Sequence, residues 1–271
     1  MMRFLIAVFV SVFGLVSTVQ SAEMTSPSIF DDGLRIGLGG GAAADYFGSD
    51  EYKFVPLPYF SYKQEGFGIS SSQFGVEADV LPFLGFDGGP IVRYNTGRKN
   101  VKDNIVDLLP EVDGTLEVGA YLAGGIPLSD PAAGTPAILT ARIEATKGVS
   151  GGHDGSLFTG SVGVITPLSS DLTLISNVSA TYMSKSYADS FFDISAAGSA
   201  ASGLAVYNAG AGFRDVGVGL TANYSLTGNL SVFGLGRYNR IVGDAKHSPV
   251  VKDRGSANQF LLGAGLTYTF N

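Results

Sequence analysis

The chain has 271 residues, 45% hydrophobic and 15% charged, with 38 glycines, no cysteine, no tryptophan and a formal net charge of −7. Without cysteine there is no disulfide scaffold, thiolate metal centre or cysteine nucleophile, and this apolar content excludes a disordered chain. The negative balance provides no electrostatic footprint for nucleic acid, and only His153 and His247 have side chains whose ordinary titration lies near neutrality.

Met1-Met2-Arg3, an apolar run from Phe4 to Val16 and a small-residue stretch from Ser17 to Ala22 read as a secretory signal peptide over 1–22. The run is too short for a membrane-spanning helix, which needs about 20 residues. Residues 23–271 then form one domain, with no fixed-period repeat and no linker.

Downstream, apolar residues recur with period two. Leu34 to Leu38, Phe74 to Val80, Leu116 to Leu122 and Ala137 to Ala145 alternate in this way, as do Leu172 to Tyr182 and Val216 to Leu226. The clearest case is C-terminal: Phe260, Leu262, Ala264, Leu266, Tyr268 and Phe270 fall on one face, and Gln259, Gly263, Gly265, Thr267 and Thr269 on the other. This is strand period, not helix period. Segments 52–62 and 229–241 alternate poorly and are left unassigned.

A soluble sandwich alternates too, but its polar face is rich in Lys and Glu. Here that face is mostly Gly, Ser, Thr and Asn, with single embedded charges: Arg35, Glu77, Asp79, Arg93, Glu117, Arg142, Glu144 and Arg237. Small polar residues pointing inward and Leu, Val and Ala pointing outward describe a barrel wall in lipid. Tyr182, Tyr224, Tyr238 and Tyr268 at strand ends fit interfacial girdles. Four arginines and four acids predict a network of Arg–carboxylate pairs across the lumen rather than a one-sign selectivity ring.

Short turns are expected around 64–65, 82–86, 127–135, 168–171 and 227–229, and longer loops over 43–52, 98–112, 148–155, 184–208 and 243–257. If 66–72 and 74–81 are separate strands joined tightly, the expectation is an all-β, up-and-down antiparallel transmembrane barrel of about twelve strands; if they are one bent strand, about ten. Short turns then face the periplasm and long loops the exterior.

The run Ala44-Asp45-Tyr46-Phe47-Gly48-Ser49-Asp50, followed by Pro56-Leu57-Pro58, resembles the MipA/OmpV family (MltA-interacting protein) of outer-membrane barrels, although Ala44 stands where the family usually has proline. Further points of resemblance are Gly89-Pro90, Gly97-Arg98, Gly152-His153-Asp154-Gly155, Tyr187 with Phe191-Phe192-Asp193-Ile194, Arg240 with Gly243-Asp244-Ala245, Ser248-Pro249-Val250-Val251 and Tyr268-Thr269-Phe270. They extend from about residue 34 to the end. The resemblance implies a scaffold in the Gram-negative outer membrane, among lipid and lipopolysaccharide, that bridges a lytic transglycosylase and a peptidoglycan synthase. For other members it implies small-molecule or antibiotic uptake, or adhesion. It carries no active site, and no catalytic residue, cofactor or metal is expected. Partner contacts are expected on the periplasmic turns. A solute channel and a surface receptor or adhesin using 184–208 and 243–257 are the rival readings.

Overall fold

The computed structural model describes residues 33–72, 74–80, 86–128 and 136–270. The signal-peptide segment 1–22 lies outside them, as does most of the expected turns 82–86 and 127–135. Among the described residues twelve strands form a closed antiparallel barrel in which each strand pairs with its chain neighbours and the last with the first. They are β1 (Gly33–Ala44), β2 (Tyr52–Gln64), β3 (Phe67–Ser72), β4 (Gly75–Asp79), β5 (Asp87–Asn95) and β6 (Thr115–Pro127). The second half comprises β7 (Ile138–Ser150), β8 (Ser156–Pro167), β9 (Leu172–Met183), β10 (Gly212–Ser225), β11 (Leu230–Ile241) and β12 (Asn258–Phe270). The pair β3 and β4 is a true hairpin, which decides twelve over ten.

The wall is greasy outside. Ile36, Leu38, Val178, Val218, Leu220, Leu262 and Leu266 are exposed on its outer face, and along β12 exposure alternates residue by residue. Exposed rings cluster at both ends: Phe54, Tyr94, Phe158, Tyr182 and Phe260 toward the long loops, Tyr224, Tyr268 and Phe270 toward the short turns. A closed ladder satisfies its own amides, so this surface suits hydrocarbon and the strands span a membrane.

The two unassigned segments are β2 and β11, and both are atypical for the same reason. Central inward-facing positions of β1 and β12 are glycines (Gly37, Gly39 and Gly41; Gly263 and Gly265), which leaves room for large inward side chains from the flanking strands. A Cβ on Gly265 would lie 2.6 Å from the Phe233 ring, and one on Gly263 would lie 2.4 Å from Leu57. On β11 the glycines Gly234 and Gly236 take the lipid side and Phe233 and Leu235 the inside, inverting the usual pattern.

β2 is also an edge for most of its length. It pairs with β1 from Tyr52 to Lys63 but with β3 only from Ser61 to Gln64. Beyond that point the Ser71 hydroxyl takes over, accepting from Phe60 N and donating to Phe60 O. Pro56 and Pro58 share the Phe60 side of the strand and have no N–H to leave unpaired there.

Candidate functional site

Five of the loops at one end of the barrel fold over its mouth and pack into a cap. They contain helices α1 (Lys185–Phe192), α2 (Ala196–Ser202), α3 (Gly243–His247) and α4 (Pro249–Lys252), together with a 3-10 turn, Val106–Leu108. Ser184 and Ser195 start α1 and α2 by accepting the N–H of Tyr187 and Gly198, which removes orphan donors at the helix ends. One apolar cluster joins Met183, Tyr187, Phe191, Phe192, Ile241 and Val251; a second joins Tyr46, Val106, Leu109, Ile194 and Val250. Phe192, Met183 and Val250 are completely buried. Each such side chain stabilises by roughly 1.5–3 kcal/mol, so the cap is a small hydrophobic core in its own right.

Polar side chains stitch these loops together. Gln259 on β12 clamps the first loop, accepting from Gly48 N at 3.0 Å and donating to Ser49 O at 3.0 Å. Asp45 accepts from Lys102 N at 2.9 Å and pairs with Lys53 at 3.2 Å. Arg98 donates to Phe191 O at 2.7 Å and Pro110 O at 3.3 Å, and burial lowers its pKa. Ser248 Oγ donates to Phe192 O at 2.7 Å, which commits this hydroxyl to the cap rather than to neighbouring His247. Burial, aided by the nearby Asp103 carboxylate, raises the pKa of the Tyr46 phenol.

Beneath the cap sits a buried histidine. His153 Nε2 lies 3.1 Å from Glu117 Oε1, and its ring meets Tyr187 and Phe191 edge-on at centroid distances of 5.1 and 5.4 Å. Two glycines make the close approaches possible. A Cβ on Gly155 would fall 2.4 Å from Tyr187 N, and Gly48, at φ +110°, has Val251 where a side chain would stand.

Below the cap lies a lumen cavity of ≈ 710 Å³. Arg93 pairs with Glu144 at 3.0 Å, and Arg142 bridges Glu77 at 2.7 Å and Glu144 at 3.2 Å, over the Tyr121 ring. These four charges form one network joining β4, β5 and β7. Asp79 accepts from Gly88 N at 2.9 Å, Arg35 lies beside Ser61 in the β1–β2 register, and Arg237 lines the cavity. Glu117 belongs to the cap through His153 instead of to an arginine.

The residues of the motif segments divide in two. Asp45, Tyr46, Gly48, Ser49, Gly97, Arg98, Gly155, Gly243, Asp244, Ser248 and Pro249 converge on the cap, with Asp50 at its exposed rim. Arg240 donates to Asn258 Oδ1 at the top of the wall. Pro58 lies on the β2 edge, Gly89 and Pro90 on β5, and the Tyr268 and Phe270 rings meet edge-on in the opposite girdle with centroids 4.8 Å apart. Sequence reading missed Arg214 and Asp215. A bulge at Phe213/Asp215 shifts the register, so both consecutive residues line the cavity. Arg214 donates to Asp215 at 2.7 Å and to Tyr187 OH at 3.0 Å, and lies over the Phe47 ring. The charged doublet, interrupting alternation at the start of a strand, was the available signal. Among the described residues no three His, Asp or Glu side chains gather as a metal site.

Among solved structures the chain is similar to the NanC porin (9% identity, TM-score 0.44, covering 87% of this chain and 100% of that one). It is also similar to the COG4313 outer membrane channel from Pseudomonas putida F1 (10%, 0.42, 89% and 97%) and to the KdgM porin (13%, 0.40, 88% and 99%). No curated protein matches. The profile of a family described as MltA-interacting protein MipA matches residues 36–270, from the first strand through cap and lumen to the last. With wall and cap both inside that match, the chain belongs to the MipA family.

Proposed function

We propose that this protein is an exported, non-enzymatic scaffold of the outer membrane that links a lytic transglycosylase of the MltA type to a peptidoglycan synthase. The observation that carries the reading is the cap. Five loops spend their apolar residues sealing the mouth, a poor arrangement for a constitutively open pore and a good one for a rigid anchor. The family description, which names an interaction with MltA, supports the choice of partner. Contacts then fall on the short turns, such as 168–171 and 227–229, which face the murein layer. Their small area favours weak or multivalent association.

Pull-down of the tagged chain from envelope extracts should recover a transglycosylase, and planar bilayers containing the pure protein should stay silent. Stepwise conductance without co-purification would replace the scaffold with the second reading, a solute channel, which the ≈ 710 Å³ charged cavity favours.

A further inference from the structure

Among the described residues four arginines line the cavity, and three are committed. Arg93 and Arg142 are paired with Glu144 and Glu77, and Arg214 with Asp215. The fourth, Arg237, makes no hydrogen bond or ion pair among the described residues; Asp215 and Glu144 act on it only at longer range. A guanidinium cannot shed its charge, so it needs an anion or water.

Its surroundings are polar and line the cavity. In the register of β9, β10 and β11, Gly219 lies between Asn177 and Arg237, and Gly217 between Ser179 and Asn239. With no side chain on the two glycines, the Asn239 and Asn177 amides lie over them and occupy that space. A Cβ on Gly217 would sit 2.5 Å from Asn239 Oδ1. Asn239 Nδ2 donates to Asp215 Oδ1 at 3.2 Å, which fixes the amide orientation, and the opposite Oδ1 is buried with no donor to satisfy it. An unpaired cation and an unsatisfied acceptor therefore sit on the same face of one strand, two residues apart.

We infer that this polar patch of the cavity wall binds a small hydroxylated carboxylate of the sugar-acid class. The carboxylate meets Arg237, a ligand hydroxyl donates to Asn239 Oδ1 after a small side-chain adjustment, and Asn177 and Ser179 serve the remaining hydroxyls. This site is independent of the scaffold role.

The test is calorimetric titration of the folded full chain in detergent with D-glucuronate, D-glucose, propionate and inorganic phosphate. Glucuronate should bind, with affinity falling as salt rises, while glucose lacks the charge and propionate the hydroxyls, so both should bind at least tenfold more weakly. Arg237→Gln should weaken glucuronate binding at least tenfold, with folding checked by heat-modifiable gel mobility. If that variant does not fold, Gly217→Ala, whose methyl group displaces the Asn239 amide, should produce the same loss. Absent glucuronate binding, equal binding by either folded variant, or equally tight phosphate or glucose would overturn the assignment.

Discussion

His153 and Glu117 meet where neither reaches water, their side chains 0% and 2% exposed. Asn95 donates to the same Glu117 oxygen at 2.9 Å, so this carboxylate ties the wall to the cap. Glu117→Ala strands the histidine and the amide together and should destabilise the protein by about 3 kcal/mol, read as a lowered melting temperature in detergent. Asp103 acts at the cap surface. Burial alone would raise its pKa, but the N–H groups of Val106 and Ile105 and the Arg254 guanidinium hold it below the ordinary carboxylate value. A depressed pKa stabilises the fold above the unfolded-state value and loses that contribution as pH falls through the folded one. Asp103→Asn should therefore cost about 1 kcal/mol at neutral pH, and its melting temperature should converge with that of the wild type below about pH 4.

Strands set the phase of the wall. Leu220 faces lipid near the middle of β10, whereas Asn223 falls on the inward set with Asp215, Gly217 and Gly219. Leu220→Arg should impair folding into vesicles by about 2–4 kcal/mol, and Asn223→Arg should be milder because its charge stays hydrated. Equal tolerance in a urea titration would contradict the phase. The β2–β3 seam is a local weakness, held beyond Ser61 by one hydroxyl. Ser71→Ala should cost about 1 kcal/mol and speed amide exchange at Phe60. Alternation was legible wherever large residues face lipid and small ones face inward. It failed at β2 and β11 because their partner strands supply the glycines that receive their inward side chains, and pairing across the closure of a barrel is not local in sequence. Arg214 was hidden for a related reason: one bulge breaks the parity on which any face assignment rests.

At the scale of the molecule, the cap covers the mouth of the lumen, so its removal tests what closes the path. Replacing residues 186–210 with a short Gly-Ser linker removes nearly all of α1 and all of α2, and with them Tyr187, Phe191, Phe192 and Ile194 from both apolar clusters. The shortened protein should display stepwise conductance in planar bilayers, whereas the intact chain should stay silent. Silence from a correctly folded deletion variant would mean that the remaining loops or the lumen network close the path without α1 and α2.

The sequence by itself determined a membrane barrel of about twelve strands, with ten as the alternative, because period-two alternation with small polar residues on one face is a local property of each strand. It also supplied the motif residues, without saying what they do. Only the tertiary structure decided that most of them build a cap, that Glu117 answers a histidine instead of an arginine, and that, among the described residues, Arg237 alone of the cavity arginines lacks a carboxylate partner. Those outcomes depend on which loops meet over the mouth and which side chains face each other across the lumen, and both are set by closure of the sheet rather than by neighbours along the chain.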